Sequence, residues 1–201
     1  ADALNYIWQN YACKDKELFG VVDGDLFLLD KFDINKHMED FIISGAPQHR
    51  KGVEYLTPII TLIDLDKMPS KEQLDWEGCC VNGTFLDTGG GFFNFFKKYP
   101  HIKEKVKLLT QTHHITKLNN NLHLLPSQVR KTYKDEFEVG MFDGKFLHSG
   151  RSSLWNLLDK PFEAEKDEWC REFIYKCVYG DVKISPIDYD IKNEYFGWAS
   201  T

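Results

Sequence analysis

Two aspartates separated by a single glycine, Asp23-Gly24-Asp25, stand where the apolar run Leu18-Phe19-Gly20-Val21-Val22 ends. Carboxylates spaced in this way at the end of a strand can both reach a hard divalent cation, and the glycine removes a side chain that would crowd the ion or its ligand. Mg²⁺ or Mn²⁺ held there would bridge the oxygens of a diphosphate and neutralise charge on a leaving group. The same residues also read as a solvated D-G turn joining two strands of a hairpin. The spacing alone leaves both readings open.

Three further segments bear on the choice. Tyr55-Leu56-Thr57-Pro58-Ile59-Ile60-Thr61-Leu62-Ile63-Asp64-Leu65 reads as a strand with an aromatic residue and a proline at its entry. Asn82-Gly83-Thr84-Phe85-Leu86-Asp87-Thr88-Gly89-Gly90 places a carboxylate just before a glycine-rich turn and a helix. Phe146-Leu147-His148-Ser149-Gly150-Arg151-Ser152-Ser153-Leu154-Trp155 places a histidine at a strand end, followed by a glycine, a cation and two hydroxyls. Each has a plainer reading. Asp87 has the chemistry of a helix N-cap, His148 that of a turn residue, and Arg151 that of a surface charge. The basic cluster Gln48-His49-Arg50-Lys51 could meet a phosphate, but a solvated loop is the simpler expectation. Asn82-Gly83-Thr84 is a glycosylation sequon, which matters only in a secretory compartment.

Taken in this order, the segments resemble the GT-A nucleotide-sugar glycosyltransferases, particularly small bacterial and viral ones, over residues 1–156. In that family a DxD strand is followed by a "Y-L-x-P…idl" strand, an acidic D-x-G-G turn and a late histidine-glycine segment. The resemblance implies an α/β, GT-A-like mixed sheet flanked by helices. It implies a nucleoside-diphosphate sugar as donor, a carbohydrate or other hydroxyl acceptor, and Mn²⁺ or Mg²⁺ as cofactor. Asp23 and Asp25 would then meet the metal and the donor diphosphate, and His148 would be the third protein ligand to the metal. Arg151 would contact the phosphates. Asp87 would lie beside the transferred sugar or the acceptor, as the base of an inverting enzyme or an orienting group in a retaining one. Gly89 and Gly90 would let the backbone approach the ligand closely. GT-A domains open with a Rossmann-like half, whereas this chain begins at the helix leading into the DxD strand. About two strand–helix units, on the order of 50–60 residues by the usual size of a βαβ element, are therefore expected to be missing at the amino end.

Two other classes compete. Thr112-His113-His114-Ile115, followed by Asn119-Asn120-Asn121-Leu122-His123-Leu124-Leu125, has features of an HNH nuclease, in which a histidine activates water beside one metal. Against it, Ser127–Tyr133 lacks the further His or Asn such a site needs, so His113 and His114 are expected as strand-end or core residues. A non-catalytic carbohydrate-binding domain is the third class, since 14% aromatic residues can supply stacking surfaces.

The elements that must position these residues are legible as periodicity. Residues 2–13 read as an amphipathic helix, with Leu4, Ile7, Trp8 and Tyr11 on one face and Asp2 as cap. Leu18–Val22 is of buried-strand type, and Leu26–Leu29 follows directly. Further strands are expected at Phe41–Ile43, Ile59–Ile63, Leu122–Leu125 and Lys145–Leu147. Leu65–Trp76 reads as loop or short helix, and Gly89-Gly90-Gly91 introduces a helix stopped near Pro100. The longest helix is expected over 162–179, with acids in its first half where the macrodipole favours them.

The whole reads as one glycosyltransferase domain over 1–201, with the motif-bearing segments in 1–156 and a helical extension in 157–201. Its 201 residues are 42% hydrophobic and 28% charged, a composition that forms a packed core. The net charge of −6 argues against a general nucleic-acid binder, which needs a basic face to displace counterions from phosphates. No apolar run approaches the roughly 20 residues of a membrane span. Five cysteines without a CxxC pair point to free thiols and, with no signal-peptide pattern, to a cytoplasmic setting, or a lumenal one if an anchor precedes the chain.

Overall fold

The computed structural model of the chain describes residues 2–115 and 139–149, with scattered positions from 168 to 179. It is a mixed α/β protein whose described residues fall into two compact units. The first comprises residues 2–23 and 33–109, and the second residues 24–32, 110–115, 139–149 and the described positions beyond.

The first unit is built on a four-stranded mixed sheet in the order β1-β4-β3-β7. Strand β1 (Leu18–Val22) runs antiparallel to β4 (Val53–Asp64), from Leu18 opposite Asp64 to Val22 opposite Ile60. On its other side β4 pairs antiparallel with β3 (Ile43–Arg50), which pairs in parallel with β7 (Val106–Leu108). Lys51 and Gly52, both at positive φ, turn β3 into β4. Two successive positive-φ residues match the twist of the strands they join. The expected short strand at 59–63 is thus the second half of a twelve-residue strand. Phe41 and Ile42 precede β3 and are not part of it.

Strand β4 is interrupted. Gly45 lies opposite Thr61 but Pro47 lies opposite Leu56, so residues 57–60 form an irregularity facing Ala46 alone. Pro58 has no N–H to give a ladder and is suited to such a place. The Thr61 hydroxyl donates to the Thr57 carbonyl at 2.8 Å and closes the irregularity locally.

The core of this unit lies between the sheet and its helices. Helix α1 (Asp2–Asn10), continued by a 3₁₀ turn at Ala12–Lys14, buries Trp8 completely. Trp8 packs edge-on against Trp76 at 5.8 Å, and Trp76 packs edge-on against Phe92 at 5.0 Å. The Trp8 indole donates to the Lys71 carbonyl at 3.0 Å, and Asn5 bonds both Asp75 and the Trp76 N–H. These contacts dock α1 on the segment 71–76, where a single 3₁₀ turn, Lys71–Gln73, is the only helical part. Asp2 lies inside α1, not ahead of it as a cap. Helix α2 (Ile34–Met38) is capped by Asp33, whose side chain accepts from the Lys36 N–H. Helix α3 (Gly91–Lys98) buries Phe92, Phe95 and Phe96, the i, i+3, i+4 stripe of an amphipathic helix. Pro100 then opens α4 (Pro100–Lys103), at the helix position where its missing N–H costs nothing. Hairpin β5–β6 (Cys79–Val81, Thr84–Leu86) packs Val81 and Leu86 against Val53 and Tyr55.

The second unit holds an antiparallel sheet in the order β2-β10-β9-β8. Its strands are β2 (Leu26–Leu28), β8 (Gln111–Ile115), β9 (Val139–Phe142) and β10 (Phe146–Ser149). His113 and His114 lie within β8, opposite Met141 and Gly140. Positions 168, 170–172, 174, 175 and 178 are helical, within the helix expected at 162–179. The expected strand Leu122–Leu125 lies outside the described residues.

Two expectations about the DxD region are corrected. The strand preceding it is not a buried one: β1 is the edge of its sheet, with Gly20 and Val22 exposed, while β4 beside it carries the buried positions. Nor is Asp23-Gly24-Asp25 the turn of a hairpin, because β1 pairs with β4 whereas β2 pairs with β10 in another sheet. Among the described residues, no helix is long and apolar enough to cross a membrane.

Candidate metal centre and a second polar cluster

Strand β10 places His148 through its register with β2. His148 stands opposite Leu26, and the ladder is prolonged by the Ser149 N–H, which donates to the Asp25 carbonyl at 3.0 Å. Asp25 and His148 are thereby neighbours, with His148 Nε2 at 3.2 Å from Asp25 Oδ1. His148 is buried and Asp25 half-buried. Asp23 comes from the end of β1, where its N–H donates to the Ile59 carbonyl at 2.9 Å. Val22 stands opposite Ile60, so this bond adds one rung to the regular β1–β4 ladder and fixes the backbone of the first aspartate of the DxD.

Within the second unit the Asp25 carboxylate and the His148 imidazole are thus side by side, and Asp23 stands two residues from Asp25 in the chain. A carboxylate oxygen and an imidazole nitrogen are donors that a divalent ion accepts. The 3.2 Å separation of Nε2 and Oδ1 also suits a metal. Adjacent donors on a six-coordinate ion with bonds of about 2.1 Å stand about 3 Å apart. The residues present fit the group. A Cβ placed on Gly24 would meet no atom within 4 Å, so the space between the two acids is open.

Asp87 lies elsewhere, in a cluster of its own. It follows β6 and is not the cap of α3, whose N-cap position is Gly90. Its Oδ2 accepts a short hydrogen bond from Arg50 Nη2, and its Oδ1 accepts from the Tyr55 hydroxyl at 2.7 Å. Arg50 Nη1 also donates to the Phe85 carbonyl at 3.4 Å. Tyr55 is buried, and burial, followed by the hydrogen bond to Asp87, pushes its phenol well above the usual tyrosine range. Arg50 is therefore no part of a solvated loop. It closes β3, and the 50–53 pairing beside the Lys51-Gly52 turn carries it toward the β5–β6 hairpin.

The glycines after Asp87 have a local reason to be glycine. Gly89 sits at φ +95°, its N–H donates to the Trp76 carbonyl, and an added Cβ would lie 2.1 Å from the Leu56 carbonyl oxygen. At Gly90 an added Cβ would meet Leu86 Cβ at 2.7 Å. The close approach at these positions is to β4 and to the hairpin. Arg151 lies outside the described residues. Arg50 was expected in a solvated loop and Tyr55 at the entry of a strand, and nothing in the sequence paired either with Asp87. No family model matches the chain, and no curated protein and no solved structure matches it either.

Proposed function

We propose that the chain is a divalent-metal-dependent glycosyltransferase of GT-A type, moving a sugar from a nucleoside-diphosphate donor to a hydroxyl acceptor. The observation that carries this reading is the pairing, within the second unit, of Asp25 from the DxD with His148 from a distant strand, His148 Nε2 standing 3.2 Å from Asp25 Oδ1. With Asp23, these residues would hold the ion. Carboxylates suit Mg²⁺ and Mn²⁺ alike, and the imidazole favours Mn²⁺. When bound, the ion supplies charge neutralisation on the departing diphosphate.

The chain's own residues do the rest. The β2–β10 ladder fixes Asp25 and His148 before any ligand arrives, which removes part of the ordering cost of binding. Arg151, by its place after the histidine-glycine segment, would meet the phosphates with a planar fork of donors. Asp87 has two roles open to it, proton acceptor and orienting group. Each of its oxygens already accepts a bond, from Arg50 and from Tyr55, which favours the orienting role and with it a retaining reaction.

The test is a thermal-shift series on the full chain with Mn²⁺ and a panel of nucleoside diphosphates and their sugars. A ligand at a hundredfold excess over its Kd stabilises by about 2.7 kcal/mol, or about 5–10 °C for a chain of this size. Such a rise is expected with Mn²⁺ plus one nucleotide class, and its loss in Asp25→Asn. If neither Mn²⁺ nor any nucleotide raises the transition, the assignment falls.

A further inference from the structure

Strand β7 is an outer strand of the first unit's sheet, and its parallel ladder with β3 uses only half of its backbone. The Lys105 carbonyl accepts from the Ile42 N–H at 2.9 Å, and the Leu109 N–H donates to the Gly45 carbonyl at 3.0 Å. Ladder bonds recur at every second residue, so Val106 and Leu108 turn their N–H and C=O groups away from β3. Among the described residues nothing bonds these groups. An open edge of this kind is a template for a further strand. A lysine on an edge usually guards against that, but Lys107 Nζ is drawn over the Phe41 ring, 5.3 Å from its centroid.

Beside the edge lies a pocket of about 80 Å³, lined by Leu56, Phe96, Val106 and Leu108 together with Glu54 and Lys103. Val106 packs on the core that holds Leu56 and Phe96, whereas Leu108 is 40% exposed. The volume is about half that of a roughly 150 Å³ cavity that admits benzene, so it suits a branched aliphatic side chain and not a ring. Side chains directly opposite one another on antiparallel strands share a face. Peptide residues set opposite Val106 and Leu108 would direct their side chains to the pocket. The residue between them would stand opposite Lys107 on the other face. Lys103, Lys105 and Lys107 against Glu104 make this segment basic, and the Glu54 carboxylate is already engaged by His49 at 3.4 Å and Lys103 at 3.9 Å. We infer that the β7 edge and its pocket bind an extended acidic peptide as an added antiparallel strand, with the pattern aliphatic–acidic–aliphatic. Main-chain bonds to Val106 and Leu108 give the affinity, and the pocket and Lys107 give the selectivity. The inference does not rest on the transferase reading, which uses none of these residues.

Amide NMR on the isotope-labelled full chain tests the site, with the acetylated and amidated peptide Ser-Glu-Val-Glu-Val-Glu-Ser and its leucine counterpart as probes. One of them is expected to bind with a Kd below about 1 mM, shifting the Val106 and Leu108 amides most. N-methylation of both aliphatic residues removes the N–H groups that would bond β7, and should weaken binding at least about tenfold. N-methylation of the central glutamate alone, whose N–H points away from β7, should change it less than about threefold. Lysine in place of the central glutamate should weaken binding at least about threefold. In the protein, Leu108→Glu should abolish the shifts. The N-methylated peptides put the same question to the parent chain should that variant fail to fold. The proposal is overturned if neither peptide shifts these amides up to about 1 mM, or if N-methylation of the aliphatic residues makes no difference. It is also overturned if sedimentation shows a dimer whose Val106 and Leu108 amides are already protected from exchange, since a second copy is then the strand that β7 accepts.

Discussion

The two polar clusters hold their carboxylates in opposite ways. Asp25 and His148, with Asp23 two residues from Asp25 in the chain, offer carboxylates and an imidazole and no arginine or lysine among them. Asp87, Arg50 and Tyr55 bring together one acid, one guanidinium and one phenol, whose charges cancel. The first arrangement gains most from an added cation. The second already contains its cation and has no such need. Strand β4 serves both: the Ile59 carbonyl holds the Asp23 N–H, and the Tyr55 hydroxyl holds the Asp87 carboxylate four residues earlier. The irregularity at 57–60 begins after Tyr55 and contains Ile59.

The largest expected effect separates the clusters by their glycines. Gly89→Ala would place a methyl 2.1 Å from the Leu56 carbonyl oxygen at a backbone angle of +95° that L residues rarely adopt. Strain and clash together should cost about 3 kcal/mol or more in denaturant unfolding. Gly24→Ala meets nothing within 4 Å and should stay within about 0.5 kcal/mol of the parent. If the two substitutions cost the same, the rigid support assigned to the Asp87 turn is wrong.

How much of this contrast was legible in the sequence follows from what each cluster depends on. Asp23 and Asp25 could be named because a DxD follows directly on the apolar run Leu18–Val22, and the end of a run can be read without knowing which strand pairs with which; His148 joined them only through the resemblance to GT-A enzymes. The helix at 91–98 was legible for a similar reason, since its phenylalanines repeat at helical spacing and Pro100 marks its end. The burial of β1 was misjudged because burial is set by neighbours: an apolar run at a sheet edge looks the same as one in the middle. Arg50 was misread because a basic tetrapeptide carries no sign of its register, and its partner lies 37 residues away across a hairpin. The same apolar sequence that made Ile59–Ile63 easy to find concealed the irregularity at 57–60.

A smaller effect tests the buried phenol. Tyr55→Phe removes the hydrogen bond to Asp87 Oδ1 and should cost about 1–2 kcal/mol near neutral pH, as for bonds to charged groups. The alkaline limb is more specific. In the folded chain the Tyr55 proton is held above the usual range by burial and by Asp87. The unfolded chain loses that proton near pH 10, so above this pH the unfolded state binds fewer protons than the folded one. This contribution to stability is complete below about pH 10 and declines as the pH rises further. Subtracting the Tyr55→Phe curve from that of the parent should leave a difference that is flat below pH 10 and falls above it. A flat difference throughout would mean that the phenol is not held as described.

The smallest expected effect on stability falls on the ion pair. Arg50 and Asp87 are both partly exposed, and solvent screens such a pair, so Arg50→Gln should lower stability by less than about 1 kcal/mol. The deficit should shrink in about 1 M salt, where the screening length is about 3 Å. A larger, salt-insensitive loss would make Arg50 a structural strut of the β3–β4 hairpin. A small loss would leave the tyrosine bond as the stronger of the two restraints on Asp87: the pair then adds little to the fold that holds it, and the buried tyrosine beneath it fixes the direction of the carboxylate.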